Sequence, residues 1–360
     1  MRAVVTEELG RVEVRDDVES VEVGPDQVKV RMRASGVCRT DLSATNGTWP
    51  TRLPVVLGHE GAGEIIEAGA QVKGMGVGDR VILANLRGCG HCFYCVRGQT
   101  FLCGHEDQKG AATHNFLVGG VPSYGMVSLG AWAQEVVLPA TNVVPFQGDD
   151  VPWEIASLVN CAVMTGVGAV ISTAKLEPGA TAVIIGAGGV GAAAIQGARL
   201  AGASTIVVVD PIESKFDKMR SFGATHAVTP DDLATLTAQL THGRGFDYAF
   251  EFVGRDTTIR AAWDATRIGG SVVLSGIGSP STPSPLSLYE MTMDGKNLMG
   301  SVGGSVVPLR DYQTYLDLWR SGQLDLEGLV TEKINLADAP DALKALDSGK
   351  DVLRQVIMFD

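Results

Sequence analysis

Apolar and polar residues follow two different patterns along the chain. From residue 1 to about 36 they alternate, as in VKVRMR at residues 28–33, which is typical of half-buried antiparallel strands. From Ala182 onward, short apolar runs such as residues 182–185 alternate with helical spacing, which is typical of parallel strands buried on both faces. We therefore predict an α/β chain in which a β-rich opening precedes a doubly wound parallel sheet.

Helical spacing also occurs between these two regions. Residues 153–173 have it, with interruptions at Cys161 and at residues 166–168. It returns at residues 312–320, after which short strand-like runs continue to the end of the chain. We therefore predict helices at both places.

Glycines mark the turn after the first predicted parallel strand. GAGGVG at residues 186–191 supplies G-x-G-x-x-G, a pattern that allows a tight turn, a close approach of a pyrophosphate and close helix packing. A second apolar run, residues 205–209, ends where a ribose-binding carboxylate belongs. A glycine-rich turn without a ligand is the alternative, but this context favours a dinucleotide site. The predicted contacts are Gly186, Gly188, Gly189, Val190, Gly191 and Asp210.

Length and charge narrow the class of protein. The 360 residues suffice for two domains, and 45% hydrophobic with 19% charged residues is typical of a globular chain. A formal net charge of -12 argues against nucleic acid or an anionic membrane as partner. Because the N-terminus lacks an apolar signal core and no run reaches the roughly 18 apolar residues of a membrane helix, we predict a cytoplasmic protein.

Four of the six cysteines lie in one short segment. Cys89, Cys92, Cys95 and Cys103 follow C-x2-C-x2-C-x7-C, so four thiolates can reach one ion without help from distant parts of the chain. Four sulfurs in a closed tetrahedron are typical of a structural zinc. An iron–sulfur cluster and two disulfides are the alternatives, and disulfides are disfavoured in the predicted compartment. Because the four cysteines fill the shell, we expect His91 at the surface.

The two remaining cysteines allow a second metal site. Cys38 is followed by His59 in a glycine-rich turn, and Cys161 precedes the dinucleotide region. Two sulfurs and one imidazole are the ligands of an open zinc site, in which the fourth position takes water or a substrate oxygen. Cysteines that serve as buried apolar fillers are the alternative, and spacing alone leaves both readings open.

Taken together, these segments resemble a zinc-dependent alcohol dehydrogenase of the medium-chain dehydrogenase/reductase family. The likeness extends from about Val4 to Phe359. Its motifs are GVCRTDLS at residues 36–43, GHEGAGEIIEAG at residues 58–69 and NCAVMTGVGA at residues 160–169. Many relatives lack the four-cysteine lobe, so its presence favours the alcohol dehydrogenases over zinc-free quinone and enoyl reductases.

The resemblance implies a role for each matching residue. The implied catalytic zinc ligands are Cys38, His59 and Cys161, with Glu60 beside the metal. Thr40 matches the hydroxyl residue that contacts the substrate oxygen, and Asp41 the carboxylate that steadies the histidine. The implied cofactor contacts are Arg39 and Arg354 to the pyrophosphate, Thr165 to the nicotinamide and Lys215 to the adenine ribose. For Arg39 and Lys215, a solvated surface charge is the alternative.

The resemblance also implies the domain organisation. Residues 1–162 and 303–360 are expected to form a GroES-like catalytic domain with a structural-zinc lobe at 89–103, and residues 163–302 an inserted Rossmann domain that binds NAD. The segment 104–130 is longer than in compact tetrameric relatives, so we expect a homodimer.

Some positions depart from the family pattern. Ser43 stands where horse-liver-type enzymes place a histidine at the outer end of a proton relay. The residues that correspond to the substrate pocket are Trp49, Asn85, Ile277 and Val302. Their mixture of sizes and polarities does not name a substrate.

The sequence therefore predicts an enzyme that oxidises small-molecule alcohols reversibly to aldehydes or ketones, with two zinc ions per chain and NAD. A thiol-adduct formaldehyde dehydrogenase shares all these motifs and is the first alternative. A non-catalytic zinc- and nucleotide-binding relative is the second, although such proteins usually lose zinc ligands and all seven are present. A nucleic-acid-binding zinc module is disfavoured by the acidic balance.

Overall fold

Two compact units make up the chain. The computed structural model describes residues 1–86, 88–103, 114–281, 283–348 and 352–360. Unit 1 comprises Met1–Cys161, Val307–Gly322 and Leu326–Asp360, and unit 2 comprises Ala162–Val306 and Gln323–Asp325. Each unit is built around its own sheets and its own buried apolar residues.

Unit 1 begins with strands in which buried and less buried residues alternate. In Gln27–Gly36, the side chains of Val28, Val30 and Met32 are buried in the core, because every second residue of a strand faces the same side. The strands in the described N-terminal part are β1 (Ala3–Thr6), β2 (Glu13–Arg15), β3 (Val18–Ser20), β4 (Gln27–Gly36), β5 (Val55–Val56), β6 (Ala62–Ala68), β7 (Arg80–Leu83), β8 (Phe116–Val118), β9 (Val121–Gly125), β10 (Glu135–Pro139) and β11 (Val143–Pro145).

The helices around these strands include one long apolar helix. The short α1 (Arg39–Thr45) follows β4, and the helix Trp153–Ala174 follows β11. By length and composition the latter is apolar enough to cross a membrane, but 78% of its most apolar window is buried inside the protein, as in a core helix. Its successive parts are α2 (Trp153–Leu158), the π-helical Val159–Val163, α3 (Met164–Gly168) and the π-helical Ala169–Ala174.

The interruptions in the sequence pattern of this helix do not break it. Cys161 lies in the first π-helical turn, and residues 166–168 continue as α-helix. The sequence therefore indicated the place of an irregularity correctly but not its nature. A π turn keeps the backbone hydrogen-bonded while it changes which way the following side chains point, and such turns are frequent at functional sites.

Unit 2 contains a parallel sheet in the order β14-β13-β12-β15-β16-β17. The order reverses between β12 and β15, and the crevice at such a reversal is the usual nucleotide site of doubly wound sheets. The strands are β12 (Thr181–Ile185), β13 (Thr205–Val209), β14 (His226–Val228), β15 (Phe246–Glu251), β16 (Thr266–Leu274) and β17 (Asn297–Gly300), and the helices are α4 (Gly189–Leu200), α5 (Phe216–Phe222), α6 (Leu233–Thr241), α7 (Asp256–Ala265) and α8 (Leu288–Met293).

The C-terminal part of the chain returns to unit 1. Its elements are α9 (Pro308–Arg320), β18 (Val330–Asn335), α10 (Ala339–Asp347) and β19 (Arg354–Met358). β19 pairs antiparallel with β4, which sets Val356 opposite Gly36 and brings Arg354 near the start of α1. The predicted α/β class, with a β-rich opening and a doubly wound parallel sheet, is confirmed.

Candidate functional site

Cys38 is held at the start of α1 by a reciprocal backbone interaction. Its backbone is extended, with φ -123° and ψ 155°, and its N–H donates to Asp41 Oδ2 at 2.9 Å. The N–H of Asp41 donates back to the carbonyl oxygen of Cys38 at 3.1 Å. A carboxylate in the first turn of a helix satisfies free N–H groups there, so Asp41 fixes the position of Cys38.

The same carboxylate orients His59. Asp41 Oδ1 lies 3.0 Å from His59 Nδ1 and accepts the N–H of Gly58 at 3.1 Å. Because a carboxylate accepts, Nδ1 carries the proton and Nε2 is left as the ligand atom. Burial opposes a charge on the ring, but the charge of Asp41 and the hydrogen bonds to Asp41 and Cys38 together outweigh burial and raise the pKa of His59 well above its ordinary value.

His59 Nε2 points toward two thiols. It lies 3.4 Å from Cys161 Sγ, which lies 4.0 Å from Cys38 Sγ. The hydrogen bond with Cys161 lowers the pKa of Cys38, while the same contact and burial raise the pKa of Cys161. The two thiols are therefore one coupled pair whose protons are not lost independently.

The spacing of these donor atoms fits zinc. Two sulfurs of a disulfide would be about 2.05 Å apart, so Cys38 and Cys161 are not bonded to each other. Zn–S bonds of about 2.3 Å at a tetrahedral angle would separate two sulfurs by about 3.8 Å. The observed 4.0 Å is close to this value, and the donor atoms of Cys38, His59, Glu60 and Cys161 all lie within 4.8 Å of one another.

Glu60 adds a buried carboxylate to this cluster. Neither of its oxygens has a hydrogen-bond partner in the part of the chain that the structure describes, although Arg354 Nη2 lies 3.5 Å from Oε1. Burial raises the pKa of Glu60 to about 7 against the opposing charge of Arg354. A Cβ on Gly36 would lie 1.9 Å from Oε2, so the motif needs a glycine there to leave room for the carboxylate.

The predicted substrate-contacting hydroxyl also reaches the cluster. Thr40, in the first turn of α1, places Oγ1 3.7 Å from Cys38 Sγ. Its side chain is partly buried, as is that of Cys161, whereas Cys38, His59 and Glu60 are buried. Thr40 thus lies at the accessible side of the cluster, next to one of the sulfurs.

A second sulfur cluster lies in the segment 89–103. Its four Sγ atoms are within 4.8 Å of one another, with 4.0 Å between Cys89 and Cys95 and 3.9 Å between Cys92 and Cys103. These distances also match the edges of a zinc-centred sulfur tetrahedron. His91 contacts the carbonyl oxygen of Cys89, at 2.9 Å, and is exposed, as expected.

Backbone N–H groups support charge on these sulfurs. The N–H of Cys92 donates to Cys89 Sγ at 3.3 Å, that of Cys95 to Cys92 Sγ at 3.4 Å, and that of Cys89 to Cys103 Sγ at 3.3 Å. Donors from His91 and Cys92 lower the pKa of Cys89 to about 6, whereas burial raises the pKa of Cys103 to about 12. The segment therefore favours thiolate at its exposed end before any metal binds.

In unit 2, the glycine loop connects β12 to α4. Gly186 has φ 105°, a value that side chains rarely tolerate, and a Cβ on Gly191 would lie 1.8 Å from the carbonyl oxygen of Gly186. At Gly188 a Cβ would meet no protein atom within 4 Å. The fold therefore explains the need for glycine at Gly186 and Gly191. The free space at Gly188 instead suits an external ligand at the N-terminus of α4.

Asp210 follows β13 and is tied to this loop. Its Oδ2 accepts the N–H of Ala187 at 2.8 Å, and its Oδ1 accepts the N–H of Ile212 at 3.0 Å. Lys215 Nζ lies 3.8 Å from Oδ1, and both side chains are largely buried. Lys215 is therefore not the solvated surface charge of the alternative reading.

The segments that carry the two cysteine clusters and the glycine loop are similar to domains of known proteins. Residues 24–148 match the alcohol dehydrogenase GroES-like domain, and residues 189–321 match the zinc-binding dehydrogenase domain. Alcohol dehydrogenase B of Mycobacterium tuberculosis is 36% identical over 357 residues, which cover 95% of this chain and 94% of that protein. The chain belongs to the zinc-binding alcohol dehydrogenase family.

Two further relatives of this alcohol dehydrogenase family member extend the comparison. NDMA-dependent alcohol dehydrogenase of Amycolatopsis methanolica is 34% identical over 354 residues, or 95% of each chain. The crystal structure of benzyl alcohol dehydrogenase from Acinetobacter calcoaceticus has a TM-score of 0.89 at 28% identity and covers 100% of this chain and 99% of that one. The predicted family and a zinc-dependent alcohol oxidoreductase are confirmed, and the thiol-adduct alternative has less support.

The remaining predicted cofactor residues of this family member lie in different surroundings. Arg39 is exposed and donates to the carbonyl oxygen of Leu346 at 3.3 Å, so its surface-charge alternative stays open. Arg354 is buried and donates to the carbonyl oxygen of Val37 at 3.4 Å. Thr165 lies in α3 and is partly buried.

Sequence reasoning missed three residues that support these sites. Gly36 makes room for Glu60, and Asn160 donates from its side chain to the carbonyl oxygen of His59 at 2.8 Å. Glu251, at the end of β15, accepts the N–H groups of Val253 and Gly254 at 2.8 Å each, beside the crevice. The available signals were positional, since Gly36 and Asn160 stand within the motifs and Glu251 ends an apolar run.

Proposed function

We propose that this protein is a NAD-dependent alcohol dehydrogenase that interconverts alcohols and aldehydes or ketones. The observation that carries the proposal is the set of two thiols and one imidazole, spaced for zinc, beside the partly exposed hydroxyl of Thr40. Three protein ligands leave a fourth position open, which distinguishes a catalytic zinc from a structural one.

Cys38, His59 and Cys161 would hold the catalytic zinc. The metal, when bound, supplies Lewis-acid catalysis that makes the substrate hydroxyl more acidic. Asp41 keeps His59 in the tautomer whose Nε2 is free, and it holds Cys38 through the N–H at the start of α1. One buried carboxylate therefore supports two of the three ligands, which conserves their spacing when substrate enters.

Thr40 would take up and pass on the substrate proton. Its hydroxyl both accepts and donates hydrogen bonds, so it can accept a proton from the alcohol while it gives its own to the next group. NAD, when bound, would supply the hydride acceptor for the carbon that bears the substrate hydroxyl. Ser43 has no ionisation near neutral pH, so the outward relay ends in water.

Glu60 and Arg354 would adjust the charge beside the metal. Two thiolates already neutralise Zn²⁺, and an ionised Glu60 would make the set negative without the guanidinium 3.5 Å away. Arg354 is 4% exposed and Glu60 is 0% exposed, so neither charge is screened by solvent. We propose that this pair keeps the site close to neutral.

The preference for NAD over NADP is assigned to Asp210. Its carboxylate is held by two N–H groups in the position where it would accept the ribose hydroxyls. A 2′-phosphate there would meet a negative charge, and the nearby Lys215 is already close to Asp210. We propose that unit 2 is the nucleotide-binding domain and unit 1 the catalytic domain.

The four-sulfur cluster is proposed to hold a second, structural zinc. Four protein ligands leave no open position, and the N–H groups that donate to the sulfurs stabilise thiolates. The cluster would thus order its own lobe and take no part in the reaction.

A homodimer is proposed from an open sheet edge. The expectation based on segment 104–130 depends on length, and residues 104–113 lie outside the described part. In unit 2, β17 is the last strand of the sheet in the described residues, and α8, which precedes β17 in the chain, exposes 83% of Leu288 and 74% of Tyr289. An unpaired edge beside apolar side chains suits pairing with a second copy. A monomer mass measured by sedimentation equilibrium would contradict the proposed homodimer.

The cytoplasmic location of the protein stays a prediction.

A substrate panel tests the proposed activity. Primary, secondary and aromatic alcohols are incubated with NAD alone and with NAD plus NDMA. Formaldehyde is tested separately, with and without low-molecular-weight thiols. We expect NADH absorbance to rise with an alcohol and NAD alone. Turnover that requires a thiol adduct would favour the formaldehyde dehydrogenase alternative, and no turnover with any substrate would favour the non-catalytic one.

A further inference from the structure

Asn160 connects two segments that supply ligands to the catalytic cluster. It immediately precedes Cys161 in the π-helical turn Val159–Val163, and its side chain is 0% exposed. Its Nδ2 donates to the carbonyl oxygen of His59 at 2.8 Å, across 101 positions in the sequence. A single hydrogen bond thus joins the backbone of His59 to the side chain of the residue that precedes Cys161.

This hydrogen bond restrains the position of the π-helical turn relative to His59, which Asp41 does not restrain. Asp41 fixes the imidazole ring and the start of α1, but none of its hydrogen bonds reaches the π-helical turn. The 3.4 Å between His59 Nε2 and Cys161 Sγ also depends on where that turn lies relative to the His59 backbone. Among the described hydrogen bonds, the one from Asn160 is the direct link between these two backbones.

The π geometry makes such a restraint useful. A π turn is a rare geometry that occurs mostly as a single turn within an α-helix, frequently at functional sites, and here it contains Cys161. The buried amide of Asn160 would lose its hydrogen bond if the turn shifted, and a buried donor without a partner is destabilising. The hydrogen bond therefore opposes movement of Cys161 away from His59.

We propose that Asn160 is a positioning residue that sets the distance between the Cys161 thiolate and the His59 imidazole, and so the metal affinity of the catalytic site. The inference rests on the proposed catalytic zinc. Outer-shell partners of metal ligands typically change metal affinity by about 10–100-fold when they are lost.

Asn142 offers a matched control. It is also buried, at 1% exposure, its Nδ2 donates to a carbonyl oxygen, that of Ala84, at 3.0 Å, and its Oδ1 likewise has no described partner. Asn142→Ala therefore removes the same kind of buried hydrogen bond within unit 1, between two residues that make no described hydrogen bond to Cys38, His59, Glu60 or Cys161. A loss of stability alone should affect both variants.

The experiment measures zinc retained per chain as a chelator of known affinity is added to the zinc-loaded holoprotein. We expect Asn160→Ala to release one zinc at roughly 10–100-fold lower chelator strength than the unmutated protein. Asn142→Ala should retain both zincs and show a similar fall in melting temperature. The Co²⁺-substituted proteins provide a second readout, since an altered ligand distance changes the absorption spectrum of Asn160→Ala alone.

Two results would overturn the inference. One is an Asn160→Ala protein that retains both zincs as tightly as the unmutated protein, and the other is equal zinc loss from Asn142→Ala. If Asn160→Ala does not fold, Asn160→Leu keeps nearly the same volume without the donor or a new charge and serves in its place. An unmutated protein with only one zinc would instead refute the proposed catalytic metal itself.

Discussion

At the scale of single residues, the hydroxyl of Thr40 is the group that this account assigns to proton transfer. Thr40→Val keeps the volume and removes the hydroxyl that lies 3.7 Å from Cys38 Sγ. We expect kcat/KM to fall by roughly 10²-fold or more, as for the loss of a positioned proton-transfer group. Steady-state kinetics with both zincs bound provide the measurement.

Two controls separate this effect from a change in packing. Thr45→Val removes a hydroxyl from the same helix, where Oγ1 donates to the carbonyl oxygen of Leu42 at 2.8 Å, and should leave kcat/KM nearly unchanged. Ser43→Ala should cost far less than Thr40→Val, because water is the expected final acceptor. A Thr40→Val enzyme with nearly full turnover would refute the proposed relay.

Asp210 carries the second prediction at this scale, which concerns cofactor choice. Asp210→Gly removes the charge that opposes a 2′-phosphate, so the ratio of kcat/KM for NAD over NADP should fall by about tenfold or more, equivalent to about 1.4 kcal/mol. Asp210→Asn keeps an oxygen that can accept the N–H of Ile212 and separates the effect of charge from loop disorder. Comparable kcat/KM for both cofactors in the unmutated enzyme would contradict the assignment.

Among the elements, the loop between β12 and α4 contains one glycine that the fold requires, Gly191, and one that it does not, Gly188. A Cβ at Gly191 lies 1.8 Å from a backbone oxygen, so Gly191→Ala should destabilise unit 2 by about 1–3 kcal/mol and weaken NAD binding. Gly188→Ala meets no protein atom within 4 Å, so the fold should keep its melting temperature while NAD binding weakens. Calorimetric NAD titration and thermal unfolding measure the two effects. Unaltered NAD affinity in Gly188→Ala would place the pyrophosphate elsewhere.

The lobe at residues 89–103 should depend on its metal for stability. Cys92→Ala removes one of four sulfurs, so we expect the loss of one zinc and a destabilisation of about 4 kcal/mol or more, as when a metal site is lost. His91→Ala alters an exposed side chain that hydrogen-bonds to the carbonyl oxygen of Cys89 and keeps the backbone N–H, so this variant should retain the zinc. Zinc analysis together with thermal unfolding checks this. A Cys92→Ala protein with both zincs would show that the four sulfurs do not form one site.

At the scale of the whole molecule, sequence patterns predicted the elements better than the contacts between them. The alternation around Val28 and the apolar run before Gly186 each depend on neighbouring residues, so β4 and β12 could be predicted locally. The pairing of Cys38 with Cys161 could not, because it joins positions 123 apart, and it came from the family resemblance.

The supporting residues were missed for the same physical reason. The need for glycine at position 36 arises from Glu60, and the role of Asn160 arises from the backbone of His59, 101 positions away. The π-helical turn at Cys161 was also beyond prediction, because the sequence showed only a break in the helical period. Such features depend on contacts that no local pattern contains.

Two zinc ions are proposed to have separate roles, one in the reaction and one in the stability of the fold. The most direct test measures zinc content, NAD binding and alcohol turnover together in the unmutated protein and in Cys161→Ala. We predict two zincs and turnover in the former, and one zinc, no turnover, a folded chain and intact NAD binding in the latter. Full turnover with fewer than two zincs, or a Cys161→Ala protein that still oxidises alcohol, would contradict the account.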